Sequence, residues 1–246
     1  MTRILAENLC LDIPLQSAHG WSLRATAVRK LTGIGGQLLG EGGKSHVRAL
    51  ENVNFDLNTG DRLALMGHNG AGKTTLLRVI GGIIAPTSGS LKLSGSLMPM
   101  FDLSAGFDEE STGYENIMLR GLVEGLSREE IARRTPGIVE FSELGDYLDL
   151  PLRAYSSGMR LRLMFSIATA VAGDIILMDE WISVGDQPFQ EKTQAKLLEL
   201  TGNAGILVIA SHDIATLRNV CNKAIVLEHG RVIRFGAFDD VVPVEG

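Results

Sequence analysis

The stretch GHNGAGKTT, residues 67–75, limits the possible folds of this chain more than any other feature. It follows a short apolar run, RLALM, and precedes a stretch with helical periodicity. Its glycines can take backbone angles that other residues resist, so successive N–H groups can face inward. At a helix N-terminus such donors form a cradle for phosphate groups. A glycine-rich turn with a chance lysine is the alternative reading, and the strand–loop–helix context argues against it.

The same loop supplies side chains suited to a nucleoside triphosphate. Lys73 would reach the β- and γ-phosphates, and the Thr74 hydroxyl would ligate Mg²⁺. The motif therefore predicts a site for ATP and Mg²⁺. The predicted nucleotide-binding residues of the loop are Gly67, Asn69, Gly70, Ala71, Gly72, Lys73, Thr74 and Thr75.

Two acids follow a second apolar run, IILMDE at residues 175–180. Four apolar residues in succession predict a buried central strand, whose carboxyl end would deliver Asp179 to the phosphate site. Asp179 would hold Mg²⁺, and Glu180 would polarise an attacking water as the general base. A strand that ends in two solvated acids is the alternative, and the phosphate loop upstream makes it the weaker one.

His212 comes directly after the apolar run GILVIA and a serine. A neutral imidazole at the end of such a strand would contact the γ-phosphate and sense its loss. A single histidine is by default a packed or surface residue. Its position beyond a strand that follows the acid pair favours the functional reading.

The stretch YSSGM, residues 155–159, opens a predicted basic helix. Hydroxyls and N–H groups at its N-terminus would form another anion site. An ordinary N-capped helix is the alternative reading, and the stretch alone favours it. A second anion site remote from the first makes sense if two copies pair head to tail, each completing the nucleotide site of the other.

Length and composition set the remaining bounds. A chain of 246 residues is long enough for one large α/β domain, and a net charge of −6 argues against a nucleic-acid partner. No stretch approaches the ~20 apolar residues that cross a bilayer, and no N-terminal signal is visible. Cys10 and Cys221 are expected to pack as small apolar residues in a reducing compartment, which favours a cytoplasmic location.

Strands alternate with helices from Ala49 onward, which predicts a mostly parallel sheet. Apolar and polar residues alternate through residues 1–15, which predicts a strand. The stretch SLKLSGSLMPMF at 90–101 predicts two paired strands. Residues 104–150 have helical periodicity. Residues 16–48 interrupt the pattern with five basic residues and one acidic residue, and SLRATAVRKL within them predicts a short helix. A solvated basic surface insertion is the plain alternative for this segment.

The order GHNGAGKTT, YSSGM, IILMDE and VIASH resembles the nucleotide-binding subunits of ABC transporters, over Ala49 to Gly236. YSSGM and the phrases DLSAGFDEESTGYENI and DEWISVGD resemble the polysaccharide-exporter branch. The resemblance implies an α/β fold with a P-loop NTPase core and a mostly parallel sheet. It adds an N-terminal antiparallel β subdomain and an inserted α-helical subdomain at about 104–165, all within a single nucleotide-binding domain over residues 1–246.

The resemblance also implies the activity and the partners. The chain would be an ATPase that forms a homodimer. The homodimer would bind an integral-membrane permease subunit at the cytoplasmic face of the inner membrane. It would power export of a lipid-linked polysaccharide of the O-antigen type. Export of teichoic acid or capsule is the alternative, and a soluble ABC ATPase that acts on DNA or ribosomes is a more distant one. A non-hydrolysing binding module is a further rival, which Glu180 and His212 argue against.

Residue roles follow from the same resemblance. Glu180 would be the catalytic base and His212 the switch histidine, while Ser157 and Gly158 would contact the γ-phosphate of the ATP bound to the partner. Gly185 and Asp186 would form a loop that contacts the partner.

The sequence departs from the family pattern at three points. Asp102 stands where most relatives have a glutamine that supports the metal. Ile13, with Trp21 nearby, stands where many relatives stack an aromatic ring on adenine. The chain ends at Gly246, so we expect no C-terminal carbohydrate-binding domain.

Overall fold

The structure is a computed structural model, and it describes residues 1–14, 37–41, 44–101, 103–104, 106–171, 173–180 and 187–243. The chain divides into two compact units. The first unit comprises Met1–Pro99, Asp174–Trp181 and Gly205–Gly246, and the second comprises Met100–Gly173 and Ile182–Ala204.

The described residues form ten strands and seven α-helices. The strands are β1 (Arg3–Pro14), β2 (Gln37–Glu41), β3 (Lys44–Asn58), β4 (Arg62–Met66), β5 (Ser88–Ser94), β6 (Leu97–Pro99), β7 (Ile175–Asp179), β8 (Ile206–Ala210), β9 (Lys223–Glu228) and β10 (Arg231–Ala237). The helices are α1 (Lys73–Ile80), α2 (Gly113–Val123), α3 (Arg128–Ser142), α4 (Ser157–Ala170), α5 (Gln187–Asn203), α6 (Ile214–Val220) and α7 (Phe238–Val241). Two short 3-10 turns, Gly145–Asp149 and Leu152–Ala154, precede α4.

Two sheets build the first unit. A four-stranded antiparallel sheet has the order β2-β3-β1-β5, and a six-stranded sheet has the order β10-β9-β4-β8-β7-β6. In the second sheet β9, β4, β8, β7 and β6 are parallel, and β10 pairs antiparallel with β9 at one edge. The carboxyl ends of the parallel strands therefore meet at the same edge, where ligands bind in sheets of this kind.

The central strands are buried, as their composition predicts. All five residues of β8 and the first four of β7 are buried. Continuous aliphatic runs of this kind are typical of parallel strands covered on both faces, because no residue of the strand reaches water. In α1, Leu76, Leu77 and Ile80 are fully buried, which fixes the helix that follows the phosphate loop.

The second unit packs its helices around a small apolar cluster. The members of this cluster are Ile117, Ile131, Ile138, Leu144, Leu148, Leu152, Tyr155, Leu163 and Ile167. The helices α2 and α3 each begin at a complete capping box, Thr112 with Glu115 and Ser127 with Glu130. In a capping box two N–H groups that lack helical partners are satisfied by side chains, so both helix starts are fixed locally.

Most predicted elements are confirmed, including the mostly parallel sheet, the antiparallel N-terminal sheet and the helices within residues 104–150. The prediction of paired strands in residues 90–101 is wrong. β5 pairs with β1 in the antiparallel sheet, whereas β6 pairs with β7 in the parallel sheet. Alternation of apolar residues predicts that a strand exists but carries no information on its partner.

The antiparallel sheet also includes residues that were predicted to belong to the insertion. β2 and the first residues of β3 lie within the predicted insertion, residues 16–48, and pair from Gln37↔Arg48 to Glu41↔Lys44. Glycines in QLLGEGGKS obscure the alternation there, because they interrupt the apolar pattern. The predicted helix SLRATAVRKL lies outside the described residues. Across the described part of the chain, no helix combines the length and the apolar character required to span a bilayer.

Two helical glycines of the second unit provide a matched test of its packing. A Cβ on Gly113 would lie 2.5 Å from the Tyr155 hydroxyl oxygen and 3.0 Å from the Leu148 Cα, whereas a Cβ on Gly137 would meet no atom within 4 Å. Gly113→Ala should therefore lower the free energy of unfolding by about 1–3 kcal/mol. Gly137→Ala should raise it by up to about 1 kcal/mol, since alanine is the better helix former. Urea denaturation measures both, and equal midpoints would contradict the packing described here.

Candidate nucleotide-binding site

The phosphate loop joins β4 to α1 and requires its first glycine. Gly67 has φ +143°, and a Cβ there would lie 2.3 Å from the Leu227 carbonyl oxygen and 3.0 Å from the Ala71 Cβ. Any side chain would therefore collide with β9, the neighbouring parallel strand. Gly70 has φ +81°, also in the region that favours glycine. The loop keeps its backbone close to the sheet because these residues lack side chains.

Gly72 ends the loop as the N-cap of α1, in the left-handed region at φ +110°. A Cβ on Gly72 would lie 3.2 Å from the Ala49 carbonyl oxygen, so β3 closes in on the loop from another side. The Ala71 N–H donates to the His68 carbonyl at 3.0 Å, and the Gly230 N–H donates to the Ala71 carbonyl at 2.9 Å. Neighbouring strands and the β9–β10 turn therefore hold the loop in a fixed shape.

Lys73, the first residue of α1, lies folded back over this loop. Its Nζ donates to the Gly67 carbonyl at 2.7 Å and to the His68 carbonyl at 3.3 Å. The same atom lies 3.5 Å from His212 Nε2. Burial lowers the pKa of Lys73, and the negative charges of Asp179 and Glu180 oppose that shift. The site therefore places a desolvated cation where a triphosphate would be held by the loop.

Thr74 joins the loop to the first acid of the predicted pair. Its Oγ1 donates to Asp179 Oδ2 at 2.6 Å. A hydroxyl and a carboxylate are hard oxygen ligands of the kind that Mg²⁺ prefers, so the donor set fits this ion. Asp102, the third predicted metal ligand, lies outside the described residues.

Glu180 follows β7 in a conformation that is rare for a side chain of its size. Its φ is +72°, and its N–H donates to the Ala210 carbonyl at 2.7 Å. A non-glycine residue in this region costs on the order of 1–3 kcal/mol and persists where the surroundings impose it. Its side chain is 54% exposed, and Oε1 lies 3.9 Å from His212 Nε2. The carboxylate is therefore open to water while its backbone is fixed.

Ser211 is a site residue that the sequence analysis missed. It is 4% exposed, and its Oγ donates to Glu180 Oε2 at 2.9 Å while accepting from the Asp213 N–H at 3.2 Å. These bonds hold one carboxylate oxygen and leave the other accessible. A serine between an apolar strand and His212 was the available signal, but only the parallel pairing of β7 with β8 brings it to Glu180.

The predicted second anion site lies at the start of α4 in the second unit. Ser156 is the N-cap, and its Oγ accepts from the Met159 N–H at 3.2 Å. Ser157 and Gly158 occupy the first turn, where N–H groups have no carbonyl partner within the helix. The hydroxyl proton of Ser156 can also be donated, since its oxygen is the acceptor in the cap. Ser156 therefore joins Ser157 and Gly158 as a candidate contact residue that the predicted set omitted.

Gly158 has space around it. A Cβ there would approach no atom closer than 3.9 Å, the distance to the Ser156 Oγ. Gly158 is thus not required by the packing of the chain around it.

The segment that leads into α4 is itself firmly supported. The Leu152 N–H donates to the Ser111 carbonyl and the Arg153 N–H to the Glu109 carbonyl, both at 3.0 Å. The side chain of Asn116, which is fully buried, donates to three carbonyls of residues 108–112 and accepts the Asp108 N–H at 2.8 Å. Local hydrogen bonds therefore fix the turn that presents the N-terminus of α4.

The structure brings together five predicted residues of the first unit: Lys73, Thr74, Asp179, Glu180 and His212. Of the other predicted residues, Asn69 is exposed and Thr75 half-buried at the start of α1. Ile13 lies half-buried in β1, opposite Val47 of β3. Trp21, Gly185 and Asp186 lie outside the described residues.

Comparisons with known proteins agree with this geometry. The family model described as ABC transporter matches residues 50–183. The O-antigen export system ATP-binding protein RfbE of Yersinia enterocolitica is 44% identical over 94% of this chain and 97% of its own length. An RfbB protein of the same description from Klebsiella pneumoniae is 38% identical over 79% of each chain. The teichoic acids export ATP-binding protein TagH of Lactococcus lactis is 39% identical over 79% of this chain and 42% of its own.

Solved structures show the same fold. One described as the ATP-binding subunit of an ABC transporter has a TM-score of 0.69 at 24% identity and covers 97% of this chain and 91% of its own. A dimeric ATP-binding cassette in a post-hydrolysis state, bound to ADP and Pi, has a TM-score of 0.67 at 21% identity over 96% and 98% of the two chains. The predicted ABC ATPase fold is confirmed. This chain belongs to the ATP-binding proteins of the ABC transporter family, ATPases that bind ATP and, in general, Mg²⁺.

Proposed function

We propose that this chain is the ATP-hydrolysing subunit that powers export of a lipid-linked polysaccharide of the O-antigen type. The observation that carries the proposal is the convergence of Lys73, the Thr74–Asp179 pair and Glu180 at one edge of the parallel sheet. This is the set of groups that phosphoryl transfer to water requires. The polysaccharide is supported by relatives named for O-antigen export, one of which matches nearly the whole chain.

The phosphate loop binds ATP in this proposal. Backbone N–H groups of residues 67–75 and the Lys73 ammonium would hold the β- and γ-phosphates. Thr74 and Asp179 would hold Mg²⁺, with Asp102 as a further proposed ligand. When bound, Mg²⁺ supplies neutralisation of the phosphate charge. Burial of Lys73 strengthens its attraction to phosphate, because less water screens the two charges.

Glu180 acts on the attacking water. Oε2 is held by Ser211 at 2.9 Å, and Oε1 is free to accept a hydrogen bond from water. The water oxygen forms a bond to the γ-phosphorus as the bond to the bridging oxygen breaks, and the water proton passes to Glu180. His212, 3.5 Å from Lys73 Nζ, would contact the γ-phosphate and respond to its loss.

Two copies would form the working assembly. Ser157 and Gly158 of one copy, with Ser156, would contact the γ-phosphate bound by the partner, and Gly185 and Asp186 would lie in a loop that contacts the partner. The open space around Gly158 supports this arrangement, since a phosphate can approach the backbone where no Cβ intervenes. ATP would then join the two copies, and hydrolysis would release them.

We infer the membrane partner from the names of the relatives, and we infer the lipid and nucleic-acid interactions from the charge of the chain. A separate membrane permease would carry the polysaccharide, with this chain bound peripherally at the cytoplasmic face of the inner membrane. Residues 16–48 would meet anionic lipid headgroups or a pyrophosphate-linked glycan through their basic side chains. A net charge of −6 gives no reason to expect a nucleic-acid partner. Teichoic acid export is the second candidate, supported by relatives that match a smaller part of this chain.

The dimer is tested by removing the proposed base. Glu180→Gln should bind ATP without hydrolysing it, so a stable dimer should form in Mg-ATP and be absent in Mg-ADP. Adding Gly158→Val to this variant should prevent the dimer, because the new side chain would occupy the space left for phosphate. Size-exclusion chromatography coupled to light scattering measures the molar mass of the Glu180→Gln variant and of the double variant. A Glu180→Gln variant that stays monomeric in saturating Mg-ATP would contradict the shared-nucleotide arrangement.

The role of Ser211 is tested by Ser211→Ala. Loss of one hydrogen bond to a charged group, about 1.4 kcal/mol, should lower kcat roughly tenfold. KM for ATP should change little, because the phosphate loop is untouched. Ser142→Ala is the matched control: Ser142 is also a buried serine, but within the described part of the chain its hydroxyl donates to the Val139 carbonyl of its own helix. Equal kcat values for Ser211→Ala and the parent chain would exclude this role.

The transported substrate is tested with the membrane subunit present. We expect the chain to copurify with a polytopic membrane protein and its ATPase rate to rise when a lipid-linked O-antigen glycan is added. A teichoic acid precursor is the matched alternative substrate, and stronger stimulation by it would reassign the cargo. Stimulation by DNA or ribosomes, with none by either glycan, would refute the export function.

A further inference from the structure

Three helices of the second unit meet at a compact group of charged and aromatic side chains. The C-terminus of α3, the middle of α4 and the start of α5 each contribute to it. We call this group the three-helix clamp, and its members are Phe141, Glu143, Arg162, Phe165, Phe189 and Lys192. The functional site described above uses none of them.

Glu143 lies at the centre of the clamp. It is the C-cap of α3 in the left-handed region, at φ +57°, a conformation uncommon for glutamate. Its Oε1 lies 2.7 Å from Lys192 Nζ on α5, and its Oε2 lies 3.4 Å from Arg162 Nη1 on α4. One carboxylate therefore bridges cations from two different helices.

Lys192 makes further contacts with the end of α3. Its Nζ donates to the Phe141 carbonyl at 3.0 Å and lies 4.7 Å from the centre of the Phe141 ring. A cation at a helix C-terminus is favourable because the last carbonyls point toward it. Lys192 thus connects the start of α5 to the end of α3 through an ion pair, a hydrogen bond and a cation–π contact.

The aromatic rings fill the space behind the charges. Phe141 stacks on Phe165 of α4 at 6.0 Å between ring centres and meets Phe189 of α5 edge-on at 5.8 Å. Phe165 and Phe189 are 0% and 1% exposed. The Arg162 guanidinium lies 4.5 Å over the Phe189 ring. Apolar packing holds the three helices together, and the ion pairs of Glu143 join the end of α3 to α4 and α5 beside these rings.

We propose that Glu143, Arg162 and Lys192 are positioning residues that hold α4 in the orientation that presents Ser156, Ser157 and Gly158 to the ATP of the partner. The inference rests on the proposed function. Arg162 lies five residues after Ser157 on the same helix, roughly 7.5 Å along its axis. A rotation of α4 at the clamp is therefore carried directly to its first turn.

Glu143 pairs with both cations, which gives the proposal an order of effects. Lys192→Met removes one cation and leaves the Glu143–Arg162 pair. Glu143→Gln removes the charge that both cations contact. Glu143→Gln should therefore disturb the orientation of α4 more than Lys192→Met does.

The experiment uses the Glu180→Gln chain, in which ATP-dependent dimers accumulate. The Mg-ATP concentration at half-maximal dimer should rise about fivefold with Lys192→Met, the equivalent of about 1 kcal/mol, and more with Glu143→Gln. Lys192→Arg keeps the positive charge, so its Mg-ATP concentration at half-maximal dimer should equal that of the Glu180→Gln chain. Lys196→Met is the matched control, because Lys196 lies one turn further on α5 and, among the described residues, forms its ion pair with Glu199 of the same helix, at 3.0 Å. It should leave the value unchanged.

A second measurement separates positioning from stability. Affinity for Mg-ADP, which depends on the phosphate loop of the first unit, should be the same in every variant. Variants that melt earlier but dimerise at the parent Mg-ATP concentration would overturn the positioning role. Should Glu180→Gln alone fail to dimerise, the proposed function and this inference fall together; should it dimerise regardless of the clamp, only the inference falls.

Discussion

Parallel pairing of β4 with β8 and β9, and of β8 with β7, is the constraint on which the site depends. It places the carboxyl ends of these strands at one edge, so that residues far apart in sequence become neighbours. Thr74 reaches Asp179 at 2.6 Å and Ser211 reaches Glu180 at 2.9 Å across this edge. A shift of one residue in the β7–β8 register would turn these side chains to the opposite face and separate both pairs.

Two unusual backbone conformations lie at the same edge. Gly67 takes a conformation in which a Cβ would lie 2.3 Å from a carbonyl of β9, and Glu180 holds a positive φ of +72°. Buried aliphatic strands on either side supply the stability that offsets this cost. The consequence is a firmly held site: neighbouring strands hold the loop in one shape, and Glu180 is fixed at its backbone while its side chain meets water.

The second unit solves a different physical problem. In the proposed function it presents the N-terminus of one helix, α4, to a neighbouring molecule. A buried asparagine and short backbone pairing fix the turn before α4, and the three-helix clamp fixes the helix further along. The space around Gly158 fits this purpose, because a helix N-terminus binds an anion best where the backbone can be approached closely.

The sequence by itself determined the phosphate loop, the apolar strands, the acids that end β7 and the helix starts, because each depends on local spacing and local hydrogen bonds. It also determined the ABC resemblance, since the motifs occur in order. Only the tertiary structure decided that β5 and β6 belong to different sheets, that Ser211 holds Glu180 and that Glu143 bridges two helices. These depend on strand partners and on contacts between residues distant in sequence, and the local pattern of apolar and polar residues does not encode which partner is chosen.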